Sequence, residues 1–381
     1  MRMPARILFL LWAILQGCQS APATAAGAHV ARPPKLVVVV VIDGLGQHQF
    51  AKFRDKVGDG GFRRLMEEGA CFSNASYGHS TTVTAVGHST IVTRAYPYRH
   101  GLVSNDWYDR KTKQVVFCVE DPDSKYVGEP TREHYGTSPR NLRVTTIGDE
   151  LRLATAEKSR VFTACIKNYP AILMGGRLGT AYFYSPVTGR FITSDYYRKD
   201  YPEWWTAFHA TNPQNRWYGK EWMPLLPDQA YDRAPEGRSF LANYKGLGKQ
   251  FPHKVDGGPI KIIDKDTKKE TEKPPELGPT YYSAIAGTPF AHEYLAEFAK
   301  TLITNEKLGK NPAGVPDFFA VSFSSHDAIN HTFGPESKES VDDFLRLDRV
   351  LADFFRFLDT QTGGETLVVL SADHGFSFTP E

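Results

Sequence analysis

The sequence predicts an α/β fold: a largely parallel central sheet covered by helices on both faces, with an irregular, aromatic-rich cap insertion. Apolar runs of strand length recur along the chain, at Leu36-Val-Val-Val-Val-Val-Ile42, Val161–Ile166, Phe318–Phe323 and Thr366–Leu370. Stretches of helical period separate them, and strands that alternate with helices pair in parallel and bury both faces. The composition, 41% hydrophobic and 13% aromatic, is that of a chain with a real core. With 381 residues there is room for one large α/β domain carrying an insertion.

Residues 1–26 read as a targeting segment and 27–35 as an Ala/Pro-rich linker. Arg2 and Arg6 make a positive start, and the apolar run from Ile7 to Leu15 is too short to span a membrane, so it reads as a secretory signal. Two endings compete: Leu15-Gln-Gly-Cys18 resembles a bacterial lipobox, in which Cys18 would carry a lipid anchor, while Ala23-Thr-Ala25 is an ordinary cleavage site. Either places the protein in the periplasm or outside the cell, as a soluble protein or a membrane-anchored lipoprotein.

From residue 36 to 381 the pattern is that of one catalytic-type domain. The first strand delivers Asp43, and Asp43-Gly-Leu-Gly46 turns the chain. Phe62–Glu68 is helical in pattern. Thr84–Thr93 starts on small residues and reads as a second helix, ended by Pro97 and Gly101. The strand Val161–Ile166 leads to Lys167. From about 175 to 289 the order lapses into the cap, which holds Trp204, Trp205, Trp217 and Trp222 and the charged run Asp264–Lys273. The run reads as a solvated loop; the tryptophans serve either a substrate pocket or a small satellite core. His292–Thr304 is an amphipathic helix. Val341, Leu345, Asp348, Leu351, Phe355 and Leu358 keep a helical period until Gly363-Gly364 breaks it, and the last strand runs to Asp373-His374.

A net charge of +2 with mixed signs gives no electrostatic reason to expect a nucleic-acid partner. Of the four cysteines, Cys71, Cys118 and Cys165 lie outside the signal. Cys71 and Cys118 are the candidate disulfide pair of an exported protein, Cys165 reads as a buried apolar residue, and no C-x-x-C pair supports a zinc ribbon.

The residues with chemistry sit where strands end. Asp43 follows the first strand, Asp327 and His331 (D-x-x-x-H) follow the third, and Asp373-His374 follow the last. Active sites of open α/β sheets collect at the carboxyl ends of strands, and carboxylates with imidazoles are what zinc takes. Asp327 and His331 share a helix face if the loop forms one turn. Each alone is as readily a turn or cap residue; three sets at strand ends point to a metal centre. Thr84 at a helix start is an ordinary N-cap type, but the same position would meet a phosphate with unpaired N–H groups.

These segments resemble the alkaline phosphatase superfamily, in the register of its PafA-type phosphatases and nucleotide pyrophosphatase/phosphodiesterases. The resemblance rests on Asp43, Thr84-Ala-Val-Gly-His88, His100-Gly-Leu-Val-Ser-Asn105, Asp327-Ala-Ile-Asn-His331 and Asp373-His374, and covers residue 36 onward. It implies two zinc ions, one held by Asp43, Asp373, His374 and Thr84, the other by Asp327, His331 and a later histidine. Thr84 would be the nucleophile, passing through a phosphothreonine, with Asn105 and Lys167 on the phosphoryl oxygens. The implied activity is hydrolysis of small phosphate monoesters outside the cytoplasm.

Four departures stand out. Val86 replaces a usual proline and Asn330 a usual glycine. Tyr169 stands where PafA-type monoesterases carry an arginine, which removes a charge and a bidentate fork from the phosphate site. The family's last zinc histidine would fall beyond Glu381, so the C-terminal part of the fold and one ligand of the second zinc are expected to be missing, with His326 a candidate substitute. The alternatives are therefore a phosphodiesterase, favoured by Tyr169 and the aromatic cap, and a truncated, inactive phosphate-binding remnant.

Overall fold

The computed structural model describes residues 33–131, 136–234, 241, 243–263 and 268–377. The signal segment with Cys18, and the first residues of the charged run, lie outside the described residues. Among those described, no helix is long and apolar enough to cross a membrane.

The central sheet has six strands: β1 (Leu36–Val41), β2 (Val161–Cys165), β3 (Thr180–Tyr184), β4 (Phe191–Ile192), β5 (Asp317–Ser322) and β6 (Thr366–Ser371), in the order β6-β1-β5-β2-β3-β4. All pairs are parallel except β3 with β4. The register sets the site. Val41 lies opposite Ser322 and Ser371, and Ser322 opposite Cys165. Four chains thus leave the sheet at one level, and Asp43, Lys167, Ser324 and Asp373 each stand two residues past a strand end.

Strand alternation divides the core between the two faces. Val38 and Val40 join one buried cluster with Leu295, Phe298 and Leu302 of α5 (Phe290–Asn305) and Leu351 and Phe354 of α7 (Lys338–Thr362). Val39 and Val41 join the other with Ala85 and Val92 of α3 (Thr84–Thr93) and Ala171 and Leu173 of α4 (Asn168–Gly175). Each such side chain stabilises by roughly 1.5–3 kcal/mol on burial, which is why a run of valines reads so clearly as strand. The shorter helices α1 (Gln47–Phe53) and α2 (Phe62–Glu68) follow β1, and α6 (Ser325–Phe333) follows β5. At the sheet edge, Leu367 and Val369 of β6 are exposed.

Two expectations change. The sheet continues into the stretch assigned to the cap, because Thr180–Tyr184 and Phe191–Ile192 pair with β2 and with each other; the irregular part begins after them. Their aromatic-rich sequence lacks the aliphatic signature of the other strands. No Cys71–Cys118 bridge forms either: Cys71 is exposed, whereas Cys118 is buried in the core, where desolvation pushes its thiol pKa up. Cys165 is buried as expected. The tryptophans serve packing: Trp205, Trp217 and Trp222 are buried in the α5–α7 cluster, with Trp204 packed against it.

Candidate metal centre and nucleophile

Thr84 is the first residue of α3, behind the extended Val83, and its side chain caps nothing. Its Oγ1 lies 3.4 Å from Asp43 Oδ1, 3.3 Å from His374 Nε2 and 3.3 Å from Lys167 Nζ. The next amide, Ala85 N–H, donates to Asn105 Oδ1 at 2.9 Å, which turns the Asn105 amide nitrogen into a free donor beside the helix start. Asn105 is half-buried.

Asp43, Asp327 and Asp373 are buried and converge. Lys167 bridges two of them, its Nζ 2.9 Å from Asp43 Oδ2 and 2.6 Å from Asp327 Oδ2. His374 Nε2 stands 3.4 Å from Asp43, 3.5 Å from Asp373 and 3.7 Å from Asp327. Asp373 Oδ1 accepts from the N–H groups of Gly44 and His374. His331 lies one helical turn from Asp327, 3.5 Å away but 68% exposed.

The electrostatics follow. Burial would raise the Asp43 pKa, but the Lys167 charge and the His374 hydrogen bond pull it well below the usual carboxylate range. For Asp373, burial and the neighbouring Asp43 charge prevail and push it up. Burial opposes charge on His374, yet bonding to Asp43 and the charge of Asp373 lift it to about 9. Burial holds the Tyr169 phenol at about 12 against the pull of Lys167, so it is a neutral donor at working pH. Its ring packs edge-on against Phe117, and Lys167 Nζ lies 5.8 Å from its centroid.

The arrangement fits a bound cation. Asp327 Oδ1 is buried with no hydrogen-bond donor, and Oδ2 of Asp43 and of Asp373 meet Lys167 and His88 outside hydrogen-bond geometry. Three carboxylates and the imidazoles of His88 and His374 converge there, the oxygen and nitrogen donors that a divalent metal takes. Among the described residues two groups of three can hold one: Asp43, Asp327 and His374, and Asp43, His88 and Asp373.

His88 was named in the sequence only as part of a motif. It is buried one turn past Thr84, its Nδ1 2.8 Å from the Thr84 carbonyl and 3.1 Å from Asp373 Oδ2, its Nε2 2.8 Å from Ser322 Oγ. The i, i+4 spacing from Thr84 was the available signal. Gly87 explains how α3 comes so near: a Cβ there would sit 2.2 Å from the Asp373 carbonyl oxygen. His326 is no substitute ligand. Its Nδ1 is 2.8 Å from Asp343 and its Nε2 3.1 Å from Gln49, on the flank of α6 turned away from the carboxylates.

Beside Lys167 and Tyr169 a cavity of about 250 Å³ opens toward the insertion, walled by Tyr126, Phe183, Tyr184 and Tyr244.

Residues 37–381 match the family model of the type I phosphodiesterases / nucleotide pyrophosphatases. The chain belongs to that family. Its likeness is to the PafA-type members of the alkaline phosphatase superfamily. It is 39% identical over 92% of its length to alkaline phosphatase PhoV of Synechococcus elongatus, and 36% identical over 90% to alkaline phosphatase PafA of Elizabethkingia meningoseptica. It spans 60% of the length of each. A crystal structure of a PafA variant superposes with a TM-score of 0.80 at 34% identity, covering 91% of this chain and 64% of that one.

Proposed function

We propose that this chain hydrolyses phosphate monoesters by way of a phosphothreonine at Thr84. The observation that carries the reading is Thr84 Oγ1 at a helix start, with Lys167 Nζ at 3.3 Å and three buried aspartates around it. The PafA variant carries its substitutions at a threonine, an asparagine, a lysine and an arginine, at the intervals that separate Thr84, Asn105, Lys167 and Tyr169 here. That correspondence supports a phosphate site at these four side chains, with tyrosine in place of the arginine.

In the reaction, Thr84 Oγ forms a bond to phosphorus as the bond to the substrate's alcohol oxygen breaks, and the alcohol leaves with a proton. Water then attacks the phosphothreonine, releasing inorganic phosphate and restoring the hydroxyl. The Thr84 hydroxyl donates to Asp43 Oδ1, 3.4 Å away, which orients its oxygen for attack. Lys167 and the Asn105 amide neutralise and orient the non-bridging oxygens, and α3 meets them with its N-terminal end. Asp43, Asp373, His374 and Thr84 would hold one zinc, and Asp327 and His331, with a further ligand, a second. When bound, zinc supplies Lewis acidity that lowers the pKa of a coordinated hydroxyl and stabilises the departing oxygen. The signal-like segment supports action outside the cytoplasm; the mass of the mature N-terminus separates lipidation at Cys18 from cleavage after Ala25.

A diester reading is favoured by one observation, the uncharged Tyr169 beside the aromatic cavity. A diester has one negative charge fewer, so the lost arginine matters less to it. The deciding experiment is hydrolysis of an aryl phosphate against its methyl diester by the zinc-loaded protein. Monoester preference upholds the phosphatase reading and diester preference replaces it. Failure to bind zinc would leave the inactive remnant.

A further inference from the structure

Helix α6 carries two pairs of polar residues, each one turn apart. Asp327 and His331 lie on the flank toward the carboxylate centre, while His326 and Asn330 lie on the neighbouring, fully buried flank. Asn330 is the residue that replaces the family's usual glycine, and its amide has found work. Its Nδ2 donates to the carbonyl of Gly44 and to Gln49 Oε1, both at 3.4 Å, and Gln49 Nε2 donates back to Asn330 Oδ1. Gln49 is in turn 3.1 Å from His326 Nε2, and His326 Nδ1 is 2.8 Å from Asp343 Oδ2. His292 Nε2 closes the chain, 3.0 Å from Asp343 Oδ1. Gln49, His326, Asp343 and His292 have no exposed surface at all.

Gly44 is where this network meets the metal centre. It follows Asp43 directly, its N–H donates to Asp373 Oδ1 at 3.0 Å, and its carbonyl takes the Asn330 amide. Its backbone is left-handed (φ +78°), and a Cβ would lie 2.6 Å from the Phe376 ring, so glycine is the residue that fits this turn. One residue therefore links all three aspartates: Asp43 by the chain, Asp373 by its N–H, and Asp327 by its carbonyl through Asn330 on the same helix. Rotation of α6 about its axis would move Asp327 relative to the other two. The bond from Asn330 to Gly44, backed by Gln49, His326 and Asp343, opposes that rotation.

We infer that Asn330, braced from α7 by Asp343, is a positioning residue that sets the spacing of the three aspartates for their metal. This rests on the metal reading above. Outer-shell partners of metal ligands typically change affinity by about 10–100-fold, and long bonds such as these belong at the lower end. The test is zinc affinity of the purified full chain by chelator competition, with the visible spectrum of the cobalt-loaded protein, for Asn330→Ala and Asp343→Asn. Alanine is the better helix former, so Asn330→Ala keeps the fold. It should bind zinc about 10-fold more weakly and shift the cobalt bands, with a metal-free melting temperature no lower than that of Asp342→Asn. Asp342→Asn, next along α7, replaces the Oδ2 acceptor of Trp222 Nε1 and Arg346 Nε by an NH2 group instead; it should lose stability and keep zinc affinity. Wild-type zinc affinity and cobalt bands in Asn330→Ala overturn the inference, as does an equal loss in Asp342→Asn. A wild-type chain that binds no zinc overturns the metal reading and this inference with it.

Discussion

Lys167 Nζ lies 2.6 Å from Asp327 Oδ2, and the same ammonium reaches Asp43 at 2.9 Å. The residue assigned to the substrate's phosphoryl group is thus also the counter-ion of the carboxylate centre when no metal is there. The two aspartates hold its pKa well above the ordinary lysine value despite burial.

Removing that charge should have two separable effects. Lys167→Ala removes the ammonium that bridges two buried carboxylates, which costs about 3 kcal/mol in the metal-free protein, and added zinc should restore most of it. In the loaded protein it should slow monoester hydrolysis by about 100-fold, an effect of roughly 2.7 kcal/mol, and diester hydrolysis much less. Denaturant unfolding with and without zinc, and kcat/KM on both substrates, check the two arms. Equal losses on both esters would remove the monoester-specific role.

Thr84→Ala deletes the nucleophile and one oxygen from the centre but none of its aspartates. Turnover should vanish and zinc stay bound. Rapid-quench labelling with a radioactive monoester should show a phosphoprotein in the wild type and none in the variant. A labelled Thr84→Ala chain would place the nucleophile elsewhere.

Tyr169→Arg puts a fork-shaped cation next to Lys167, where Tyr169 offers one neutral hydroxyl. The monoester-to-diester ratio of kcat/KM should rise about tenfold, the value of one added charge-assisted hydrogen bond of roughly 1.4 kcal/mol. An unchanged ratio would mean that Phe117, packed against this ring, steers the new side chain away.

Asp343 predicts an acid limb. Burial raises its pKa, but His292 and His326 overcome that and hold it at about 2, below the ordinary 3.8. A carboxyl depressed on folding stabilises the native state above the unfolded pKa, and that contribution fades as pH falls through the folded value. The contribution is about 2 kcal/mol. The stability gap between wild type and Asp343→Asn should therefore be full above about pH 4 and shrink by about 2 kcal/mol toward pH 2, as urea unfolding across that range would show. A gap that does not change with pH would mean that Asp343 folds with an unshifted carboxyl.

The strand ends were legible because apolar runs of strand length leave a plain mark, and three of them deliver a site residue two positions on: Asp43, Lys167 and Asp373. Thr84–Thr93 and Phe62–Glu68 were legible to the residue, since small and amphipathic patterns fit one helix each. β3 was not, because Thr-Ala-Tyr-Phe-Tyr in an aromatic stretch looks like any of its neighbours. Nor could the partners of His88 and His326 be read, because Ser322 is 234 positions from the one and Gln49 is 277 from the other. Local pattern carries the elements; the bonds that aim a side chain are made by residues the pattern cannot bring together. Asn330 shows the difference best: in sequence it was a departure beside a ligand pair, and in space it is the link from that pair's helix to Gly44.

The contact at Gly87 has a wider bearing. With no room for even a methyl group between α3 and the Asp373 turn, the nucleophile and the carboxylates form a floor that mutation can scarcely reshape. The cavity wall built from Tyr126, Tyr184 and Tyr244 is set by side chains and not by such a backbone approach. Divergence in substrate preference among chains of this kind should therefore accumulate at the rim of that floor, at Tyr169 and along the cavity wall, and not at the Gly87 contact.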